Sequence, residues 1–141
     1  MRDGFIKVGV ATPKVRVADP AWNRKRMVEL ILEAGEKGVK ILVFPELSLT
    51  AYTCGDLFGQ RILLDRAKEE LRNLAFASAN RDMLIFTGLP WAQDGKLYNV
   101  AAAIKGGKVL GLVPKLHLPN YGEFYEARNF EPRNEEPVLG C

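Results

Sequence analysis

The feature that most constrains the fold is an apolar run, Ile41-Leu42-Val43-Phe44, which follows closely on a segment of helical period. In that segment Met27, Leu30, Ile31 and Ala34 recur at i, i+3, i+4 and i+7, which places them on one face of a helix. Asp19-Pro20 supplies the start signal: a capping carboxylate, then a proline where a missing N–H costs nothing. Glu33 and Lys37 form a favourable i,i+4 pair, and Gly38 is placed to end the helix. The apolar run itself has the character of a strand covered on both faces. With the strand-like segment 5–11 ahead of the helix, the pattern is strand, helix, strand.

The pattern then repeats. A second helix fits residues 60–79, with Leu63, Ala67, Leu71, Leu74 and Ser78 down one side. Residues 83–87 form the next buried strand, and two more are expected at 97–104 and 109–113. The last two are joined by Lys105-Gly106-Gly107-Lys108, a hairpin signal because both glycines accept positive φ. The order is β-α-β-α-β-β-β: a parallel core built by crossover helices, extended by an antiparallel hairpin into a mixed α/β sheet. Residues 115–137 have no sustained period. Their aromatics, Tyr121, Phe124, Tyr125 and Phe130, argue against disorder, so this stretch is expected to form an ordered wall of a site.

Composition excludes more than it selects. With 48% hydrophobic and 26% charged residues in 141, the chain is an ordinary globular domain. A net charge of +3, spread along the sequence, gives no basic stripe for nucleic acid and no membrane patch. No apolar run approaches the ~20 residues of a membrane helix, and two cysteines make no disulfide framework. A cytoplasmic protein is expected.

Two charged residues stand where apolar strands run out: Glu46 after Phe44-Pro45, and Lys115 after Val113-Pro114. A strand end holds a charged group at the rim of a pocket. Glu46 fits a general base tuned by partial burial and a nearby lysine, or a structural salt bridge. Lys115 fits a cation that stabilises an oxyanion, or an ordinary lysine after a strand. His117, the only histidine, sits between Leu116 and Leu118 and suits a structural role better than a catalytic one. Cys54 precedes the second helix and reads as a small packing residue more readily than as an acidified thiol. Cys141, the last residue, has no following turn to supply oxyanion donors. No zinc-ligand spacing, P-loop or dinucleotide glycine fingerprint occurs.

Taken in order, these segments resemble the nitrilase (carbon–nitrogen hydrolase) superfamily. Phe44-Pro45-Glu46-Leu47 with Thr50-Ala51-Tyr52 is similar to its first motif, and Lys115-Leu116-His117-Leu118-Pro119 to its second; Leu97-Tyr98-Asn99 and the glycine hairpin also fit. A narrower resemblance, to glutaminase domains of glutamine-dependent NAD⁺ synthetases, rests on residues 52–58 and 118–128. It implies the N-terminal part of an α-β-β-α sandwich, with residues 1–141 a partial hydrolase domain. Glu46 would be the general base and Lys115 the oxyanion cation; Glu126 would be a second glutamate that orients the lysine, and Tyr121 would bind glutamine.

The resemblance also implies what should be missing. Ala51 stands where the family has glycine, and the motif carrying the nucleophilic cysteine does not occur. The synthetase domain that would use ATP and Mg to amidate deamido-NAD⁺ is absent too, so no cofactor is expected in these residues. Glutamine is the expected substrate, the synthetase domain the partner in cis, and a homo-oligomer the expected assembly. The rival classes are a stand-alone amidase and a non-catalytic assembly module.

Overall fold

Local signals shape the first crossover of the computed structural model, which describes residues 4–17, 19–50, 61–93, 96–115, 120–121 and 124–125. Helix α1 (Pro20–Glu36) is capped by Asp19, whose carboxylate accepts the Trp22 N–H at 3.1 Å. At its other end Gly38 takes φ +76°. The Val39 and Gly38 N–H groups return to the carbonyls of Ala34 and Gly35 at 3.0 and 3.2 Å, a Schellman ending. The expected Glu33–Lys37 pair forms at 3.0 Å. Beyond it the chain enters β2 (Ile41–Val43), parallel to β1 (Val8–Val10).

Helix α2 (Arg61–Ala77) leads to β3 (Leu84–Gln93), parallel to β2. β4 (Lys96–Lys105) and β5 (Lys108–Pro114) then add antiparallel pairs, giving one mixed sheet in the order β1-β2-β3-β4-β5. Gly106 and Gly107, at φ +60° and +82°, make the expected tight turn between Lys105 and Lys108. The turn docks on the end of α2: the Gly107 N–H donates to Ser78 Oγ at 3.2 Å. Two short strands, β6 (Asn120–Tyr121) and β7 (Phe124–Tyr125), pair with each other inside the segment that lacked a period.

Both crossovers step in the same direction across the sheet, so right-handed connections put both helices on one face. The core lies between. Met27 and Ile31 of α1 and Leu71 and Leu74 of α2 meet Leu42, Ile85, Ile104 and Leu112 of the sheet, all at most 2% exposed. The opposite face is open among the described residues. Val10, Val43, Phe86 and Ala103 lie side by side across β1 to β4, and Val10 is 78% exposed.

Two expectations need adjusting. Among the described residues the run 41–44 is covered on one face only: Leu42 is buried, whereas Ile41 and Val43 are half-buried, because both helices lie on the Leu42 side. The strand expected at 83–87 continues to Gln93 through Pro90. Among the described residues the β2 side of β3 carries no strand partner beyond Phe86, so a residue without an N–H breaks no ladder there.

Candidate functional site

The corner that presents Glu46 is assembled from buried contacts. The Phe44 N–H donates to the Phe86 carbonyl at 2.9 Å, which carries the β2 ladder one residue further. Past Pro45 and Glu46 the chain reverses at Leu47, whose φ of +53° lies in the left-handed region. That conformation costs a non-glycine residue about 1–2 kcal/mol. Its surroundings offset the strain: Leu47 is fully buried, and the Ser48, Thr50 and Leu49 N–H groups donate to the carbonyls of Pro45, Leu47 and Gly88.

Gly88 makes the close approach possible. A Cβ built there would lie 2.3 Å from the Leu47 nitrogen, so the corner can rest on β3 only where that residue has no side chain. Ser48 Oγ and Thr87 Oγ1 share a buried hydrogen bond of 2.9 Å beside it. From the other side Asn23, fully buried on α1, donates to the Leu49 carbonyl at 2.9 Å and to the Arg16 carbonyl at 2.8 Å. Its own Oδ1 accepts the Arg16 N–H at 2.7 Å. The loop before α1, the helix and the Glu46 corner are thereby joined at one residue.

Lys115 arrives from the opposite edge. β5 ends at Pro114, and the Lys115 N–H donates to the Asn99 carbonyl at 2.8 Å, extending the β4–β5 ladder by one residue. The side chains then converge. Lys115 Nζ lies 2.7 Å from Glu46 Oε1, and Asn99 Nδ2 lies 2.6 Å from the same oxygen.

These groups rim a cleft of about 360 Å³ whose floor is Val43, Phe86, Gly88, Ala101 and Val113. The cleft is therefore cut into the open face of the sheet, just past the carboxyl ends of the parallel strands, where α/β sheets bind ligands. The side chains of Lys115 and Glu46 are 31% and 38% exposed. A pair this accessible contributes only about 0–1 kcal/mol to stability. Its significance lies in what it presents to the cleft: a carboxylate able to exchange a proton and a fixed ammonium able to meet developing negative charge.

The structure thus brings together the two residues that the strand-end argument singled out. Asn99 was missed as a site residue. Its signal was an amide in an otherwise apolar strand, quoted only as part of Leu97-Tyr98-Asn99; it is 3% exposed and bonded to Glu46. Tyr121 has its backbone in β6, while its side chain lies outside the described part. Cys54, His117, Glu126, Cys141 and the Ala51 substitution also lie outside the described residues. Among the described residues no group of three or more His, Cys, Asp or Glu side chains could hold a metal ion, and no helix is long and apolar enough to cross a membrane.

A mixed α/β sheet with a carboxylate and an ammonium paired over one end defines the class, and comparison with known proteins assigns it. Residues 7–141 match the carbon-nitrogen hydrolase family, and the chain belongs to that family. Among its relatives is the glutamine-dependent NAD(+) synthetase of Mycobacterium leprae, 35% identical over 133 residues that make up 94% of this chain and 20% of that protein. A crystal structure of a glutamine-dependent NAD(+) synthetase from Cytophaga hutchinsonii superposes with a TM-score of 0.86 at 34% identity, over 92% of this chain and 22% of that one. An amidase from Nesterenkonia sp. shares the fold at a TM-score of 0.78 and 23% identity, over 100% of this chain and 53% of the amidase. The chain thus spans about a fifth of the length of the curated synthetases it matches.

Proposed function

We propose that this chain contributes the base and the oxyanion cation to a glutamine amidase whose ammonia feeds an ATP-dependent amidation of deamido-NAD⁺ on a separate domain. The observation that carries the reading is the convergence of Lys115 and Asn99 on Glu46 at the rim of the cleft. The similarity to glutamine-dependent NAD⁺ synthetases supports the choice of substrate.

In this reading Glu46 takes the proton of a cysteine thiol, and the thiolate attacks the carbon of the glutamine side-chain amide. Negative charge develops on the amide oxygen, and Lys115 Nζ stabilises it, an effect worth about 10²–10³ in rate for one such donor. Glu46 passes its proton to the departing nitrogen, the C–N bond breaks, and ammonia leaves. Water then cleaves the thioester to glutamate, with Glu46 as base. Neither Cys54 nor Cys141 supplies the thiol, so the 141 residues alone are inactive. Glu126 orients Lys115, and Tyr121 contacts glutamine.

Ammonia release from a panel of amides tests the reading. The full-length gene product is expected to prefer glutamine over asparagine and small aliphatic amides, whereas residues 1–141 alone release nothing above background. Preference for an aliphatic amide would make the protein a different amidase. Robust glutaminase activity of residues 1–141 that survives Cys54→Ser would overturn the assignment of the nucleophile, and activity lost on that substitution would assign it to Cys54.

A further inference from the structure

The Asn99 contacts assign that residue a part in the reaction as well as in the fold, an inference that rests on the functional reading above. Asn99 is tied to both charged groups by different atoms. Its side-chain Nδ2 donates to Glu46 Oε1 at 2.6 Å, and its backbone carbonyl accepts the Lys115 N–H at 2.8 Å. It lies on β4, between the strand that supports the Glu46 corner and the strand that leads into Lys115. At 3% exposure it cannot move freely toward solvent.

The two donors on Glu46 fall on one oxygen. Each carboxylate oxygen offers about two acceptor sites, and Asn99 with Lys115 supplies a donor for each of those on Oε1. Among the described residues none donates to Oε2. An oxygen that already accepts two short bonds, one from a cation, is a poor place for a further proton. We propose that Asn99 is a positioning residue: with Lys115 it saturates Oε1, fixes the carboxylate plane, and leaves Oε2 as the oxygen that receives the thiol proton and returns it to the leaving ammonia. An amide suits this task because it donates without charge. A carboxylate at position 99 would be isosteric and would repel Glu46.

Two variants of the full-length gene product, Asn99→Ala and Asn99→Asp, test the proposal through kinetics and crystallography. For the amide that the parent turns over best, kcat is expected to fall about 10- to 100-fold in N99A, the scale of a small misplacement of a reacting group. It should fall further in N99D, with KM changed less than about twofold in N99A and a folded protein confirmed for both variants by a cooperative melting transition. In a crystal structure of N99A the Glu46 carboxylate is expected to rotate away from Lys115. Retention of kcat within about twofold in N99D, or a Glu46 carboxylate that keeps its Lys115 contact and orientation in N99A, overturns the inference. A parent that prefers another amide to glutamine contradicts the functional reading alone, because the crystallographic comparison still decides the role of Asn99.

Discussion

At the scale of single residues, the site depends on two that carry no charge. Gly88 allows the Glu46-Leu47 corner to sit on β3, and Leu47 pays for its left-handed backbone through complete burial. Gly88→Ala is therefore expected to be disproportionately harmful. A Cβ placed 2.3 Å from a backbone nitrogen cannot be absorbed by a flexible side chain, so the corner must shift. Overpacking of this kind costs about 1–3 kcal/mol, and the shift displaces Glu46 from Asn99 and Lys115. Chemical denaturation should show the lost stability and amide turnover the lost alignment. Unchanged stability in the alanine variant would mean that the corner yields more easily than its hydrogen bonds suggest. Asn23 acts from the other side of the corner through three hydrogen bonds made by one buried amide.

At the scale of elements, each end of the sheet has its own electrostatics. At the end away from the cleft, Asp82 precedes β3 and lies 3.3 Å from Lys40 Nζ and 3.6 Å from Lys105 Nζ. The hydrogen bond from Lys40, then the charges of Lys40 and Lys105, hold the Asp82 carboxyl below its ordinary value of 3.8. Because the folded state depresses this pKa, the contribution to stability is present above the unfolded value and is lost as pH falls through the folded one. Asp82→Asn should lower the melting temperature slightly near neutral pH, with the difference closing below about pH 4. A difference that stays constant down to pH 2 would remove the ion pairs from the account. The group is exposed, so the effect is small and weakens with salt.

The elements themselves were largely legible in the sequence, because their signals are local. The Asp19 cap, the Gly38 ending, the stripes of α1 and α2 and the glycine hairpin each depend on neighbours a few residues away. The extension of β3 through Pro90 was not legible, since it depends on β2 having ended and β4 being in register. The same distinction holds for the site. Glu46 and Lys115 could be found as strand ends, but their 2.7 Å contact joins residues 69 positions apart. Asn99, Gly88 and the strain at Leu47 take their meaning from strands that pack together only in the folded sheet. A glycine or an asparagine in a strand looks the same in sequence whether or not a corner or a carboxylate lies beside it.

At the scale of the whole molecule, the described helices cover the sheet on one face only, and among the described residues the cleft opens on the other. Val10, Val43, Phe86, Ala101 and Val113 form an apolar surface around and beneath the paired charges, with Val10 and Val113 78% and 42% exposed. Covering such a surface would exclude water from the cleft and strengthen every electrostatic interaction in it. In the proposed amidase reading, the strength of the Glu46 and Lys115 charges therefore depends on what lies over this face.

The most direct measurement compares nitrogen sources. NAD⁺ formation from deamido-NAD⁺ and ATP by the full-length gene product is followed with glutamine or with ammonium chloride, in the parent and in Glu46→Gln. The account predicts that the glutamine-driven rate falls about 10²–10⁴-fold in the variant, the range for a general base, while the ammonium-driven rate stays within about twofold. Glutamine-driven synthesis that persists in Glu46→Gln would contradict the central claim, as would an equal fall with both nitrogen sources.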